Sequence, residues 1–68
     1  MTLRDASAAL CAAEEEHERA WSAWDRERKA GGRSIDARYR ELTTARERAA
    51  RAAAAFASAL AVTHREPT

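Results

Sequence analysis

The sequence predicts an all-α fold, an antiparallel two-helix hairpin that forms a helical coiled coil and dimerises into a four-helix bundle. Three observations predict it. Apolar residues recur at helical spacing in both halves of the chain. The two glycines of the 68 residues stand together near the middle. Alanine, arginine and glutamate dominate the composition, which is typical of long helices. We therefore expect one domain, residues 1–68, with helices at 3–30 and 35–63, a turn at 31–34 and a tail at 64–68.

The first helix is predicted from its cap and from a seven-residue repeat. Thr2 can accept a hydrogen bond at the helix start, and Asp5 suits the positive end of the helix dipole. One row of the repeat is Leu3, Leu10, His17 and Trp24, and a second row is Ala6, Ala13 and Ala20. Such rows form the a and d seam of a coiled coil over about three heptads.

The turn and the second helix follow from the residues after Ala30. Adjacent glycines tolerate the left-handed backbone that ends a helix, and the Ser34 hydroxyl can cap the helix that follows. The apolar face of that helix is predicted to consist of Ile35, Tyr39, Leu42, Phe56 and Leu60, with Ala45, Ala49, Ala52 and Ala53 between them. These positions share one side at 100° per residue.

Folding the chain at the glycine pair brings together positions whose numbers add up to about 65. The predicted neighbours are Trp24 with Tyr39 and Leu42, Leu10 with Phe56, and Leu3 with Leu60. The acidic run Glu14, Glu15, Glu16 and Glu18 falls level with Arg46, Arg48 and Arg51. Size and charge therefore agree with the same antiparallel register, which supports it.

Two helices bury one stripe each, so much apolar surface of a lone hairpin would stay in water. Chains this short usually need a disulfide, a metal or an oligomer. A single cysteine, Cys11, excludes an internal disulfide. We therefore expect a homodimer, docking onto a larger protein, or both. The residues expected at the partner or dimer interface are Leu10, His17, Trp21, Trp24, Tyr39, Leu42, Phe56 and Leu60, with Trp21 reaching beyond the seam.

His17 lies at the centre of the apolar row, and two interpretations are open. It belongs either to a buried polar layer with Arg46 and Glu14 that sets register or partner orientation, or to a solvated rim. Glu14 and His17 also have the Glu-x-x-His spacing of di-iron bundles. The helical angle directs Glu47 away from the seam, so we expect no metal site.

Four arginines suggest an alternative function. Arg33, Arg40, Arg48 and Arg51 fall within one arc of the second helix, a stripe that could follow phosphates. Asp36 and Glu47 share that arc, and no exposed aromatic residues alternate with the arginines for base stacking. A solvated face of mixed charge is the commoner outcome.

The function predicted first is a small non-enzymatic protein-binding module that acts through helix–helix contacts, such as an adaptor, regulator or inhibitor of a larger bacterial or phage protein. A nucleic-acid-binding hairpin dimer and a structural assembly subunit are the alternatives. The sequence contains no nucleophile–base set or phosphate-binding glycine loop, so we expect neither an enzyme nor a cofactor. It also lacks an apolar run long enough to cross a bilayer, and a cytoplasmic location is expected.

Overall fold

The computed structural model describes residues 2–65, with side chains for residues 2–64. Helix α1 spans Leu3–Ala30 and helix α2 spans Ile35–Arg65. The two helices pack along each other as a slender hairpin that measures 57 × 14 × 13 Å. The predicted all-α helical hairpin is confirmed.

Helix α1 begins at the predicted cap. Thr2 is extended, at φ −76° and ψ 161°, and its hydroxyl accepts a hydrogen bond from the Asp5 N–H at 3.1 Å. This bond satisfies one of the N–H groups that have no partner inside the helix. The Asp5 carboxylate lies in the first turn, where the helix dipole favours negative charge.

The glycine pair ends α1 with two bonds that run back into the last turn. Gly31 has left-handed backbone, with φ 66° and ψ 32°. Its N–H donates to the Arg28 carbonyl at 3.3 Å, and the Gly32 N–H donates to the Glu27 carbonyl at 3.0 Å. This pattern is the Schellman motif, in which the left-handed position favours glycine.

The start of α2 is capped differently from the prediction. The Ser34 carbonyl accepts from the Arg38 N–H at 3.0 Å, as expected at this position. Among residues 2–64, however, no N–H of the first turn bonds to the Ser34 hydroxyl. Instead, the Ser34 N–H donates to Glu27 Oε1 at 3.2 Å. A carboxylate from α1 therefore holds the loop that leads into α2.

Helix α2 continues two residues beyond the predicted end at Thr63. His64 and Arg65 are helical, so the prediction that they belong to a tail is wrong. The rest of the predicted tail, residues 66–68, lies outside the described residues.

The seam between the helices contains few buried residues. Ala6, Leu42 and Ala45 are buried, and Leu10, His17, Trp24, Ile35 and Phe56 are half-buried. Three residues of the predicted apolar face of α2, namely Tyr39, Ala53 and Leu60, are instead exposed at its edge. Small side chains at two of the three buried positions let the helix backbones approach closely. Residues Trp24 and Tyr39 pack with their ring centroids 6.5 Å apart and their planes at 56°. This contact lies in the predicted antiparallel register.

Over the described residues, neither helix has a stretch that is both long and apolar enough to cross a membrane.

Candidate protein-interaction surfaces

The two broad faces of the hairpin can be distinguished by the contacts across the seam. Arg48 Nη1 on α2 donates to Glu16 Oε1 on α1 at 2.7 Å. A shallow groove beside this ion pair is lined by Glu16, Ala23 and Glu41, among others. We call this side the salt-bridge face. It contains the residues that border the seam on one edge, namely Ala9, Glu16, Ala23, Glu41, Arg48, Ala55 and Val62.

The residues that border the seam on the other edge lie on the opposite side of the hairpin. We call this side the aromatic face, and it consists of Ser7, Glu14, Trp21, Arg28, Tyr39, Arg46, Ala53 and Leu60. The side chains of Trp21 and Tyr39 are 49 % and 53 % exposed, and Leu60 is also exposed. Three of the four exposed large apolar residues of the described chain therefore share one face. The fourth, Val62, lies on the salt-bridge face.

The aromatic cluster near the turn is held by a cation. The Arg28 guanidinium lies over the Trp24 ring, 5.4 Å from its centroid, an arrangement in which the ring face attracts the positive charge. Arg28 Nη2 also donates to Asp25 Oδ1 at 2.8 Å. The Trp24 ring therefore has Tyr39 on one side and Arg28 on another, whereas Trp21 remains exposed beside them.

Asp25 joins two cations at this end of α1. Lys29 Nζ lies 2.9 Å from Oδ2, and Arg28 Nη2 lies 2.8 Å from Oδ1. The hydrogen bonds from Lys29, and then from Arg28, favour the charged carboxylate and lower the pKa of Asp25. Both cations are basic residues of the last helical turn, where they also suit the negative end of the helix dipole.

Within one chain, His17 forms neither a solvated rim nor a complete polar layer, so a layer that orients a partner stays a prediction. His17 is half-buried in the seam, and its Nε2 atom is buried without a hydrogen-bond partner among the described residues. A solvated rim would leave this atom exposed. A polar layer within one chain would give it a partner such as Glu14. The atom is thus a buried polar group whose hydrogen-bonding capacity is unused, which is unfavourable.

The predicted interface residues divide by burial. Leu42 is buried, whereas Leu10, His17, Trp24 and Phe56 are half-buried in the seam. Trp21, Tyr39 and Leu60 are exposed on the aromatic face. The first group is occupied mainly in holding the hairpin together. The second group is free to contact another molecule.

The four arginines of the predicted stripe do not act alike. Arg48 turns toward α1 and pairs with Glu16, so its charge is already balanced. Arg33, Arg40 and Arg51 are exposed, and Arg40 Nε donates to the Asp36 carbonyl at 3.4 Å. The part of the stripe that is open to solvent therefore consists of three guanidinium groups on the outer side of the turn and α2.

The remaining candidate residues for chemistry are separate from one another. Cys11 is exposed. Among the described residues, no three side chains of the His, Cys, Asp and Glu types come together as metal ligands would. Sequence reasoning missed Glu27, which holds the loop, and Arg28, which covers Trp24. The four-residue spacing of Trp24 and Arg28 could have indicated the second contact.

No protein-family model matches the chain, and no match was found among curated proteins or solved structures.

Proposed function

We propose that the chain is a small protein-binding module that works through helix–helix contacts and whose first partner is a second copy of itself. The observation that carries the proposal is the exposed surface of the hairpin. The accessible area is 5363 Å², whereas a compact monomer of 7.5 kDa would expose about 4,200 Å². The excess, about 1,100 Å², exceeds the roughly 800 Å² that each partner buries in a standard interface.

The shape of the hairpin supports the same proposal. The radius of gyration is 15.9 Å, compared with about 11 Å for a compact domain of this length. Two helices side by side cannot enclose a core, because each has an apolar stripe that meets only one neighbour. Adding two more helices encloses these stripes, and the four-helix bundle is the common arrangement.

An adaptor, regulator or inhibitor of a larger protein, including a bacterial or phage protein, would use the same surface. The exposed aromatic residues suit this role because tryptophan and tyrosine carry a large share of the energy in protein interfaces. Such a module would have no need of a catalytic group. Its specificity would come from the spacing of large, small and charged side chains along the face.

Sedimentation equilibrium at micromolar concentration tests the proposal. We expect a particle of two chains with the helical circular dichroism of the hairpin. The mass of one chain, together with sharp NMR spectra of a folded protein, would contradict self-association.

A salt series separates the proposal from nucleic-acid binding. Contacts between arginines and phosphates weaken steeply with added salt because counterions are released, whereas apolar docking does not. If RNA or DNA binds tightly at low salt and Arg33→Ala, Arg40→Ala and Arg51→Ala weaken it, the alternative function is favoured. A particle of many chains would instead favour the structural assembly subunit.

A further inference from the structure

We propose that the second copy docks on the aromatic face, antiparallel to the first, about a two-fold axis at right angles to the helices. Helix α1 of one copy then lies over α1 of the other, and the two turns lie at opposite ends. This inference rests on the self-association proposed above and adds the face, the orientation and the position of the axis. Three features of the aromatic face support this face, this orientation and this position of the axis.

The first feature is the distribution of charge. The Glu16–Arg48 pair joins positions whose numbers add up to 64, so Arg46 lies level with residue 18 of α1. Glu14 and Arg46 share the aromatic face, and neither belongs to an ion pair within the described residues. An axis at the level of Glu16 brings Glu14 of each copy level with Arg46 of the other. Two ion pairs then form between the copies.

The second feature is the distribution of size. Trp21 and Tyr39 occupy the half of the face near the turn, and the other half holds the small residues Ser7 and Ala53, with Leu60 beyond them at the open end. With the same axis, the aromatic side chains of one copy lie over the small side chains of the other. Facing large and small residues pack without voids. The parallel arrangement would place four large aromatic residues together near the turns and four small residues together in the other half of the face.

The third feature is the size of the face. An axis at the level of Glu16 crosses α1 near the middle of Leu3–Ala30, so the two hairpins overlap along their whole length. The hairpin measures about 57 by 14 Å along this face, and the antiparallel arrangement covers nearly all of it. His17, whose buried Nε2 has no hydrogen-bond partner among the described residues, is the residue next to this level on α1.

Reversal of the two charges tests the face and its register. In the proposed dimer, position 14 of each copy faces position 46 of the other. Glu14→Arg alone would therefore create two contacts between positive charges, and Arg46→Glu alone would create two between negative charges. We expect each variant to dimerise at least tenfold more weakly. A mixture of the two variants pairs opposite charges again, and we expect a heterodimer with an affinity within about threefold of the original. Repulsion within one chain cannot be relieved by mixing, so the rescue is specific to the interface.

Matched controls carry the same charge changes on outward positions. Glu15→Arg and Arg51→Glu should leave the dissociation constant within about twofold, since both residues are exposed away from the face. Trp21→Ala should weaken the dimer by about thirtyfold as the loss of an aromatic anchor. Val62→Ala, which removes an exposed apolar side chain from the opposite face, should not weaken it.

A distance measurement tests the orientation. In a Cys11→Ser background, a spin label attached at Ala30→Cys should give label-to-label distances of about 40 Å or more, because the two turns are separated along the axis by some 28 residues of rise. A distance of about 20 Å would show a parallel dimer and overturn the proposal.

The outcomes separate the two proposals. A wild-type dimer that is insensitive to both charge reversals and to Trp21→Ala overturns the aromatic face and leaves self-association standing. Failure of the mixture to recover affinity overturns the register. A wild-type monomer overturns both proposals.

Discussion

The connection between the helices depends on the space beside Gly32. A Cβ atom at this position would overlap the carboxyl end of Glu27, the group that accepts from the Ser34 N–H. At Gly31 a Cβ atom would meet nothing, but the backbone there is left-handed. The two adjacent positions therefore favour glycine for different reasons, one because of side-chain space and the other because of backbone conformation.

Gly32→Ala should therefore lower the free energy of unfolding by about 1 kcal/mol, because the displaced carboxylate loses its hydrogen bond. In a Glu27→Ala background the same change should be neutral or slightly stabilising, because alanine restricts the unfolded chain. Gly31→Ala is the control, and its cost of about 1–2 kcal/mol should be equal in both backgrounds. Urea unfolding measures all of these; equal effects of Gly32→Ala in the two backgrounds would contradict the contact.

Asp25 gives the hairpin a dependence on acid. The hydrogen bonds from Lys29 and Arg28 lower the pKa of Asp25 in the folded state. The charged carboxylate therefore stabilises the folded hairpin at pH values above the ordinary pKa of an aspartate, and this stabilisation is lost as the pH falls through the folded-state pKa. We expect Lys29→Gln to raise the pKa of Asp25 in an NMR titration of the carboxyl carbon. Arg51→Gln, on the other helix, should leave it unchanged. An unchanged pKa in Lys29→Gln would show that the ion pair does not form in solution.

Along each helix, the features that repeat were predictable and the features that occur once were not. The seven-residue rows and the glycine pair determine the helices, the register and the exposure of Trp21, because each depends on many positions that agree. The cap of α2 depends on a competition between the Ser34 hydroxyl and Glu27, seven residues away, which local patterns do not describe. The apolar pattern also sets no boundary after Val62, the last apolar residue, so it could not show that α2 includes His64 and Arg65.

The packing of Leu10 against Phe56 stays a prediction of the register. Both residues are half-buried, so each alanine substitution should cost about 1–3 kcal/mol, toward the lower end of the range for core truncations. Residues in contact should also show coupling in a double-mutant cycle. As a control, Leu10→Ala combined with Ala54→Gly should show no coupling, because Ala54 is exposed. Additive effects of the Leu10 and Phe56 substitutions would contradict their contact.

Self-association would make the stability of the hairpin depend on concentration. If a folded dimer of 136 residues unfolds to two separate chains, unfolding increases the number of particles. A higher protein concentration therefore favours the folded dimer by mass action. With about 0.7 kcal/mol of unfolding enthalpy per residue, a hundredfold rise in concentration should raise the Tm by about 10 °C. Calorimetry at two concentrations measures this. A Tm that does not move would indicate that the folded particle is a single chain.

The antiparallel pairing also has a consequence for the order of folding. Trp24 and Tyr39 meet across a short loop, Glu16 and Arg48 are 32 residues apart, and Leu3 and Ala59, which line one groove at the open end, are farther apart still. The entropic cost of closing a loop rises with the length of the loop. We therefore expect contacts to form first beside the glycine pair and then to extend toward the open end. The aromatic cluster near the turn would then form early in folding and would also anchor the proposed interface.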